Sequence, residues 1–342
     1  MLKNYSVIKS LQEEAERLSR KRKPLPGNLP ELKRRLNEFR KNYIKCLGEM
    51  PQVKYPLKPK IEQRLLLDDS DVIQERVIYN SEKSVEVPSH VYYPVRNQVS
   101  NGTKGKLPAV LLIQGWDMSK WSFPFLKTEL AKMGYLVLFP DNRFSGERKR
   151  NNADIKGGEE EQLTVIPAAE CIGKTFMGMN TWDNIRAIDY LLTREDVDAN
   201  RIGIVGLCWG GMQAYNLGAF DKRGKVVVCV NSNSTYKALI TEHITYSRHT
   251  CIGTFIPGLM KYGDTIDIYA LIAPKPLLIM NNVNDDWFPV SGYLEVCREL
   301  ERVYKVYGVS DRFRHLISSN VHDITGIYEE ETINWLDKYL KK

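Results

Sequence analysis

The chain has 342 residues, of which 43% are hydrophobic and 10% aromatic, a composition that supplies a sizeable core and excludes a disordered chain. Much of its net charge of +7 lies in the short basic runs Arg20–Lys23, Lys33–Arg35 and Arg148–Arg150. No nucleic-acid motif accompanies these runs, and no apolar run reaches the length of about 18 residues typical of a membrane span. We therefore expect a solvated basic surface, no nucleic-acid partner and no membrane partner.

The cysteines and the N-terminus indicate a reducing compartment. None of the 6 cysteines forms a C-x-x-C pair, so the sequence contains no recognisable zinc or redox motif and predicts no metal site. Segment Met1–Arg20 is charged and amphipathic and lacks the apolar stretch of a secretory signal. We expect free thiols and a cytoplasmic protein.

Residues 1–68 are helix-prone, charged and interrupted by prolines, which predicts a helical N-terminal extension to a catalytic domain at 69–342. In that domain strands alternate with helices. The predicted strands are Val72–Tyr79, Val85–Tyr93, Ala109–Gln114, Tyr135–Phe139, Ile202–Val205, Val226–Val230, Pro276–Met280 and Phe313–Ile317. The predicted helices are Phe125–Met133, Thr181–Thr193, Trp209–Ala219, Ser291–Val306 and Ile327–Leu340. This alternation predicts an α/β fold with a mostly parallel central sheet and helices on both faces.

Two connections, 141–179 and 231–271, are long for such a fold and predict cap-like insertions above the carboxyl edge of the sheet. An arginine in either insertion could bind a substrate carboxylate, because its planar guanidinium matches that group. We therefore consider Arg143, Arg248 and the neighbouring His249 as substrate-binding candidates. Further residues of the second connection that could line a pocket are Tyr236, His243, Tyr246 and Phe255.

The turn between strand Ile202–Val205 and the following helix carries the strongest signal. Its sequence, Gly206-Leu207-Cys208-Trp209-Gly210-Gly211, has the form of the nucleophile elbow G-x-S-x-G, with Cys208 in the place of serine. Gly206 and Gly210 are needed because side chains there would collide where strand and helix pack closely. A buried structural cysteine in a glycine-rich turn is the competing interpretation, so the partners of Cys208 decide between the two.

A cysteine at the start of a helix suits nucleophilic chemistry, because the positive end of the helix dipole favours the thiolate. The oxyanion formed by attack requires backbone donors. We expect the first to be the N–H of Trp209 and the second the N–H of Trp116, just after strand Ala109–Gln114.

An elbow fold supplies its triad in the chain order nucleophile, acid, base. Asp285 and Asp286 follow a buried strand and precede Pro289, so both qualify as the acid, and we prefer Asp285. Among the 5 histidines, His322 alone lies between the last strand and the last helix. A turn aspartate or a surface histidine is common by itself, but three suitable residues in the right order argue against coincidence.

These residues predict that the Cys208 thiolate attacks a carbonyl, with His322 as base and Asp285 orienting its imidazole. Water then cleaves the resulting thioester. This chemistry needs no metal or organic cofactor, and its expected partner is a small-molecule ester or lactone.

Several motifs carry a family resemblance: Phe139–Arg148, Trp182–Leu191, Val197–Gly203, Pro257–Leu259 and Leu271–Leu277. With them the chain resembles the α/β-hydrolase superfamily, in particular its dienelactone-hydrolase and acetyl-xylan-esterase-like branches. The resemblance implies the α/β-hydrolase fold and hydrolysis of esters. The acetyl-esterase branch usually has serine at the position of Cys208, whereas dienelactone hydrolase has a Cys-Asp-His triad of the same type and order.

Other functions remain open at this point. The same thioester could serve acyl transfer to an acceptor other than water, or cleavage of a peptide-like amide. A catalytically weak, ligand-binding member of the fold is a third reading, because cysteine replaces the commoner serine. Residues 1–68 could cover the site or form a homodimer contact.

Overall fold

A computed structural model of the chain describes residues 7–67, 71–95, 105–116, 118–120, 122–149, 151–152, 155–156, 159–244, 252–322 and 326–341. The strands in this part of the chain are β1 (Lys60–Leu67), β2 (Val72–Glu82), β3 (Val85–Pro94), β4 (Leu107–Ile113), β5 (Leu136–Pro140), β6 (Asn151–Asn152), β7 (Ile155–Lys156), β8 (Val197–Leu207), β9 (Val226–Val230), β10 (Leu277–Asn282) and β11 (Phe313–Ser318). All but the β6–β7 hairpin belong to one sheet of 9 strands, in the order β1-β2-β3-β5-β4-β8-β9-β10-β11.

The sheet is mostly parallel. Strands β5, β4, β8, β9, β10 and β11 pair in parallel, while β1, β2, β3 and β5 pair with antiparallel neighbours. Parallel central strands are covered on both faces, and every residue of β4 is buried accordingly. The carboxyl ends of β4, β8, β10 and β11 therefore meet at one edge of the sheet.

Helices cover both faces of the sheet. They are α1 (Val7–Lys21), α2 (Leu29–Cys46), α3 (Pro124–Lys132), α4 (Glu159–Cys171), α5 (Phe176–Thr193), α6 (Trp209–Phe220), α7 (Tyr236–Ala238), α8 (Thr265–Ala270), α9 (Val290–Val306) and α10 (Ile327–Leu340). Leu111 and Ile113 of β4 pack into a core with α5, α6 and α9, whereas Val110 and Leu112 pack with α3 and α10. This arrangement confirms the predicted α/β-hydrolase fold.

The N-terminal helices are part of this packing. Helix α2 begins after Asn28, whose side chain accepts a hydrogen bond from the Glu31 N–H at 3.0 Å. Its apolar face buries Leu32, Leu36, Phe39 and Tyr43 in the same core as α6. Arg40 donates to the carbonyls of Ala219 and Phe220 at 2.7 and 3.0 Å, so α2 satisfies the C-terminal end of α6.

Helix α1 packs over the second long connection. There α7 continues into a π-helix, Leu239–His243, and the side chain of Gln12 donates to the carbonyl of Thr241 at 2.9 Å. Arg22, just after α1, pairs with Asp267 of α8 at 2.7 Å. The helical extension is therefore attached to the elements around the carboxyl edge.

The sequence did not predict strands β1, β6 and β7 or helices α4, α7 and α8. Strand β1 lies inside the segment read as helical extension, and it forms the antiparallel edge of the sheet beside β2. Helix α4 lies in the first long connection. In the part of the chain that the structure describes, no helix combines the length and apolar character of a bilayer-spanning segment.

Candidate active site

Cys208 occupies the turn between β8 and α6 in a strained backbone conformation. Its φ and ψ are 58° and −125°, a region that side chains other than glycine rarely adopt. The turn is fixed from both sides: the Cys208 N–H donates to the Val230 carbonyl at 2.8 Å, and its carbonyl accepts from the Gly211 N–H at 2.8 Å. This conformation is the one expected of a nucleophile elbow, and it lifts the side chain above the sheet.

Glycines allow the elbow to form, as the sequence predicted. A Cβ on Gly206 would overlap the carbonyl of Gly210, and a Cβ on Gly210 would overlap the carbonyl of Ile113. Gly115 lies beside the nucleophile, since a Cβ there would be 3.2 Å from the Cβ of Cys208. The segment after β4 can thus approach the elbow closely.

His322 and Asp285 follow β11 and β10 and meet at the same edge. His322 Nδ1 lies 2.8 Å from Asp285 Oδ2, and the Asp285 side chain is fully buried. The second carboxylate oxygen of Asp285 accepts the N–H groups of Trp287 and Phe288 at 2.8 and 3.2 Å. Asp286 is exposed, so the geometry pairs the histidine with Asp285 and not with Asp286.

The other side of the His322 ring faces the nucleophile. Burial lowers the pKa of His322, but hydrogen bonds to Asp285 and Cys208 outweigh it and raise the pKa from 6.5 to about 10. The structure thus joins Asp285 to His322 by a hydrogen bond and places Cys208 close enough to the imidazole to raise its pKa. At neutral pH this arrangement favours a protonated imidazole beside the sulfur.

Of the two residues predicted to supply oxyanion donors, Trp209 directly follows Cys208, and Trp116 directly follows Gly115, which lies beside Cys208. The Trp209 N–H belongs to the first turn of α6, where helical amides have no intrahelical partner, and Trp116 follows Gly115. Among the described residues, no hydrogen bond occupies the N–H of Trp209 or Trp116. The Trp209 ring is 2% exposed and stacks on Phe176 with ring centroids 5.4 Å apart, and Trp116 packs edge-on against it at 6.1 Å.

A narrow cavity opens beside the nucleophile. It is lined by Cys208, Trp209, Met212, Leu239, His243, Thr254, Trp287 and Phe288. Of the proposed pocket residues, His243 lines this cavity, whereas Tyr236 and Phe255 line a separate apolar cavity against α1. Leu239 and Thr254 were not predicted, because an apolar or hydroxyl residue in a long connection carries no signal of its own.

Of the three substrate-binding candidates, the structure describes only Arg143. Arg143 donates to both oxygens of Asp183 at 2.9 and 2.8 Å and to Glu82 at 2.7 Å. Although burial opposes it, Arg143 and Arg148 lower the pKa of Asp183 to about 2. In contrast to the expectation, the charge of Arg143 is therefore matched by protein carboxylates and holds the first connection against α5. Arg248, His249 and Tyr246 lie outside the described residues.

Comparisons with known proteins indicate the family of the chain. The dienelactone hydrolase family model matches residues 96–242. YtaP of Bacillus subtilis (strain 168), a candidate hydrolase, is 30% identical over 319 residues, which span 89% of this chain and 99% of YtaP.

Solved structures show the same fold. Methylesterase BT1017 matches with a TM-score of 0.71 and 18% identity, covering 96% of this chain and 68% of its own. A candidate acetyl xylan esterase from Bacteroides fragilis NCTC 9343 matches with a TM-score of 0.68 and 16% identity, covering 92% and 83%. Given the near full-length sequence match and the elbow described above, the chain belongs to the dienelactone hydrolase family and is an ester-acting α/β-hydrolase.

Proposed function

We propose that the protein hydrolyses a carboxylic ester or lactone with Cys208 as nucleophile, His322 as general acid and base, and Asp285 orienting the histidine. The observation that carries the proposal is the hydrogen bond between Asp285 and His322 beside the strained elbow of Cys208, whose side chain raises the pKa of His322. Strain at a buried turn persists only where surrounding structure enforces it, and it is common at catalytic residues.

In the acylation half of the reaction, the Cys208 sulfur attacks the carbonyl carbon and the carbonyl oxygen becomes an oxyanion. The N–H groups of Trp209 and Trp116 would donate to that oxyanion, each stabilising the transition state by about 3–4 kcal/mol. Collapse breaks the bond to the alcohol oxygen, which takes a proton from His322 Nε2. The products of this half are a free alcohol and a thioester on Cys208.

In the deacylation half, neutral His322 removes a proton from water, and the hydroxide attacks the thioester carbonyl. Collapse releases the carboxylic acid and returns the sulfur as thiolate beside a protonated His322. The raised pKa of His322 supports a protonated imidazole in the resting enzyme, since the groups that raise it are Asp285 and Cys208. Asp285 keeps its orientation throughout, because its second carboxylate oxygen accepts two backbone N–H groups.

The mechanism has a consequence for localisation. A thiolate nucleophile must stay reduced, because oxidation of the sulfur removes its nucleophilicity. Cys46, Cys171, Cys208, Cys229 and Cys297 are all free thiols. We therefore propose that the enzyme works in a reducing compartment such as the cytoplasm.

The test compares wild type, Cys208→Ala and Cys171→Ala on p-nitrophenyl acetate, with intact-mass detection of an acetyl adduct. Cys171 is exposed on α4 and serves as the matched cysteine control. We expect Cys208→Ala to lower the rate by about 10³-fold or more and to abolish the adduct, while Cys171→Ala behaves as wild type. Full activity in Cys208→Ala would contradict the proposal. If an added alcohol captures most of the acyl group, the proposed reaction is acyl transfer and not hydrolysis.

A further inference from the structure

A histidine other than His322 lines the cavity beside Cys208. His243 is the last residue of the π-helix that follows α7, and it is 5% exposed. Single-turn π-helices are rare and occur frequently at functional sites. Most of the other cavity residues are apolar (Trp209, Met212, Leu239, Trp287 and Phe288), so a ring nitrogen here is one of few polar groups available to a ligand.

The hydrogen bond of His243 fixes which of its nitrogens carries the proton. Nδ1 lies 2.8 Å from the backbone carbonyl oxygen of Asp286. Because a carbonyl oxygen can only accept, Nδ1 must be the donor, and Nε2 of the neutral ring carries a lone pair. Burial lowers the pKa of His243, despite opposing contributions from the Asp286 carbonyl and the carboxylates of Asp285 and Asp286. The ring is therefore a neutral hydrogen-bond acceptor at neutral pH.

The Nε2 edge of this ring is available to a ligand. The described residues give Nε2 no hydrogen-bond partner. Asp286, whose carbonyl binds Nδ1, is not one of the residues that line the cavity, whereas His243 is. An acceptor in an apolar cavity loses free energy unless a water or a ligand donates to it.

The position of His243 is fixed from two sides. Its ring packs against Trp287 with centroids 6.2 Å apart, and Trp287 is also 6.2 Å from the ring of His322. On the other side, Gln12 of α1 holds the π-helix through the Thr241 carbonyl. His243 and His322 thus both pack against Trp287, and the leaving alcohol must approach His322 to receive its proton.

We propose that His243 Nε2 accepts a hydrogen bond from a hydroxyl group on the alcohol part of the substrate, so that the enzyme prefers esters of polyhydroxy alcohols over simple alkyl esters. This inference rests on the proposed function, because it assigns the alcohol to the side of His322. A site built to bind a hydroxyl discriminates against an analogue without it, since its acceptor is then left unpaired.

The experiment measures kcat/KM for 2-hydroxyethyl acetate and for ethyl acetate, two esters that differ in one hydroxyl group. We expect wild type to prefer the hydroxylated ester by about tenfold, the value of one hydrogen bond to a buried acceptor. In His243→Asn the amide can still donate to Asp286, but no acceptor remains at the Nε2 position. The preference should then fall to within about twofold, whereas His243→Gln, whose amide oxygen reaches that position, should retain part of it.

Each outcome is decisive. A wild-type ratio near one, or a ratio that is the same in His243→Asn, would overturn the inference, and the first of these results needs no variant to fold. Acetylation of Cys208 by p-nitrophenyl acetate tests the triad separately in each protein. If wild type shows neither acetylation nor turnover of any of these esters, the proposed function fails, and the inference fails with it.

Discussion

The carboxyl edge of the sheet and the N-terminal helices are built in opposite ways. At the edge, Cys208, Asp285 and His322 each follow their own strand, so their order in the chain fixes where they meet. Helices α1 and α2 are held by partners far along the chain: 229 residues separate Gln12 from Thr241, and 245 separate Arg22 from Asp267. The carboxyl edge is defined by local turns, and the N-terminal helices by distant contacts. Substitutions at the edge should therefore affect activity, and those in the helices should affect stability.

The largest expected effect is at the edge. Asp285→Asn should lower kcat by about 10³- to 10⁴-fold, because an amide donor facing Nδ1 selects the wrong tautomer of His322. The matched control is Asp286→Asn, which alters an exposed carboxyl group and leaves the backbone carbonyl in place. We expect the control to change kcat by less than about threefold. Steady-state kinetics on p-nitrophenyl acetate measure both, and similar losses in the two variants would contradict the assignment of the acid.

The next effect is a loss of stability when a contact of the N-terminal helices is removed. Asp267 is fully buried and pairs with Arg22 at 2.7 Å and with Arg35 at 3.5 Å. Arg22→Ala should lower the free energy of unfolding by about 3 kcal/mol. This is the lower end of the range for breaking a buried ion pair, because Arg35 still pairs with Asp267. Arg20→Ala is the control, since Arg20 is 81% exposed, and it should change stability by less than about 0.5 kcal/mol.

Urea unfolding followed by circular dichroism measures this difference. The folded Arg22→Ala protein should keep its kcat within about threefold, because the triad is positioned by strands and not by α1. A loss of activity without a loss of stability would mean that the N-terminal segment acts on the chemistry directly.

The third effect is a gradual dependence of stability on pH, which is the smallest of the three over any single pH unit. The pKa of His322 is raised from 6.5 to about 10 in the folded protein, where burial opposes the shift and Asp285 and Cys208 produce it. Its stabilisation is therefore complete below pH 6.5, declines between the two pKa values and is lost above about pH 10. The decline has a slope of at most about 1.4 kcal/mol per pH unit. The difference in free energy of unfolding between wild type and His322→Gln should therefore narrow as the pH rises across this interval. A difference that stays constant would contradict the raised pKa of His322 in the folded protein.

The sequence could locate the candidate triad because each of its signals is local. The glycines of the elbow can be read directly from the sequence. A Cβ on Gly206 or Gly210 would collide with a neighbouring backbone carbonyl. Asp285 could be preferred over Asp286 only by its position, and the distance to His322 then separates the two. The histidine was identified by elimination among 5 candidates, which works in a chain with so few.

The remaining features depend on contacts that the sequence does not show. Strand β1 is exposed along almost its whole length and carries Lys60, Glu62 and Arg64, so it lacks the apolar alternation of a half-buried strand. Arg143 was read as free for a substrate because its partner carboxylates lie 40 and 61 residues away. His243 could be named as a pocket residue, but its tautomer depends on a carbonyl 43 residues distant.

The long separation between the N-terminal helices and their partners also bears on the order of events during synthesis. Helices α1 and α2 leave the ribosome well before α6 and α8, against which their apolar and charged faces pack. Until those elements emerge, Leu32, Leu36 and Phe39 have no native surface to cover them. We expect the two helices to dock late. Contacts between residues far apart in sequence slow folding and prolong the exposure of apolar surface in folding intermediates. This protein should therefore depend on chaperones more than a hydrolase whose first helices pack against their neighbours in sequence.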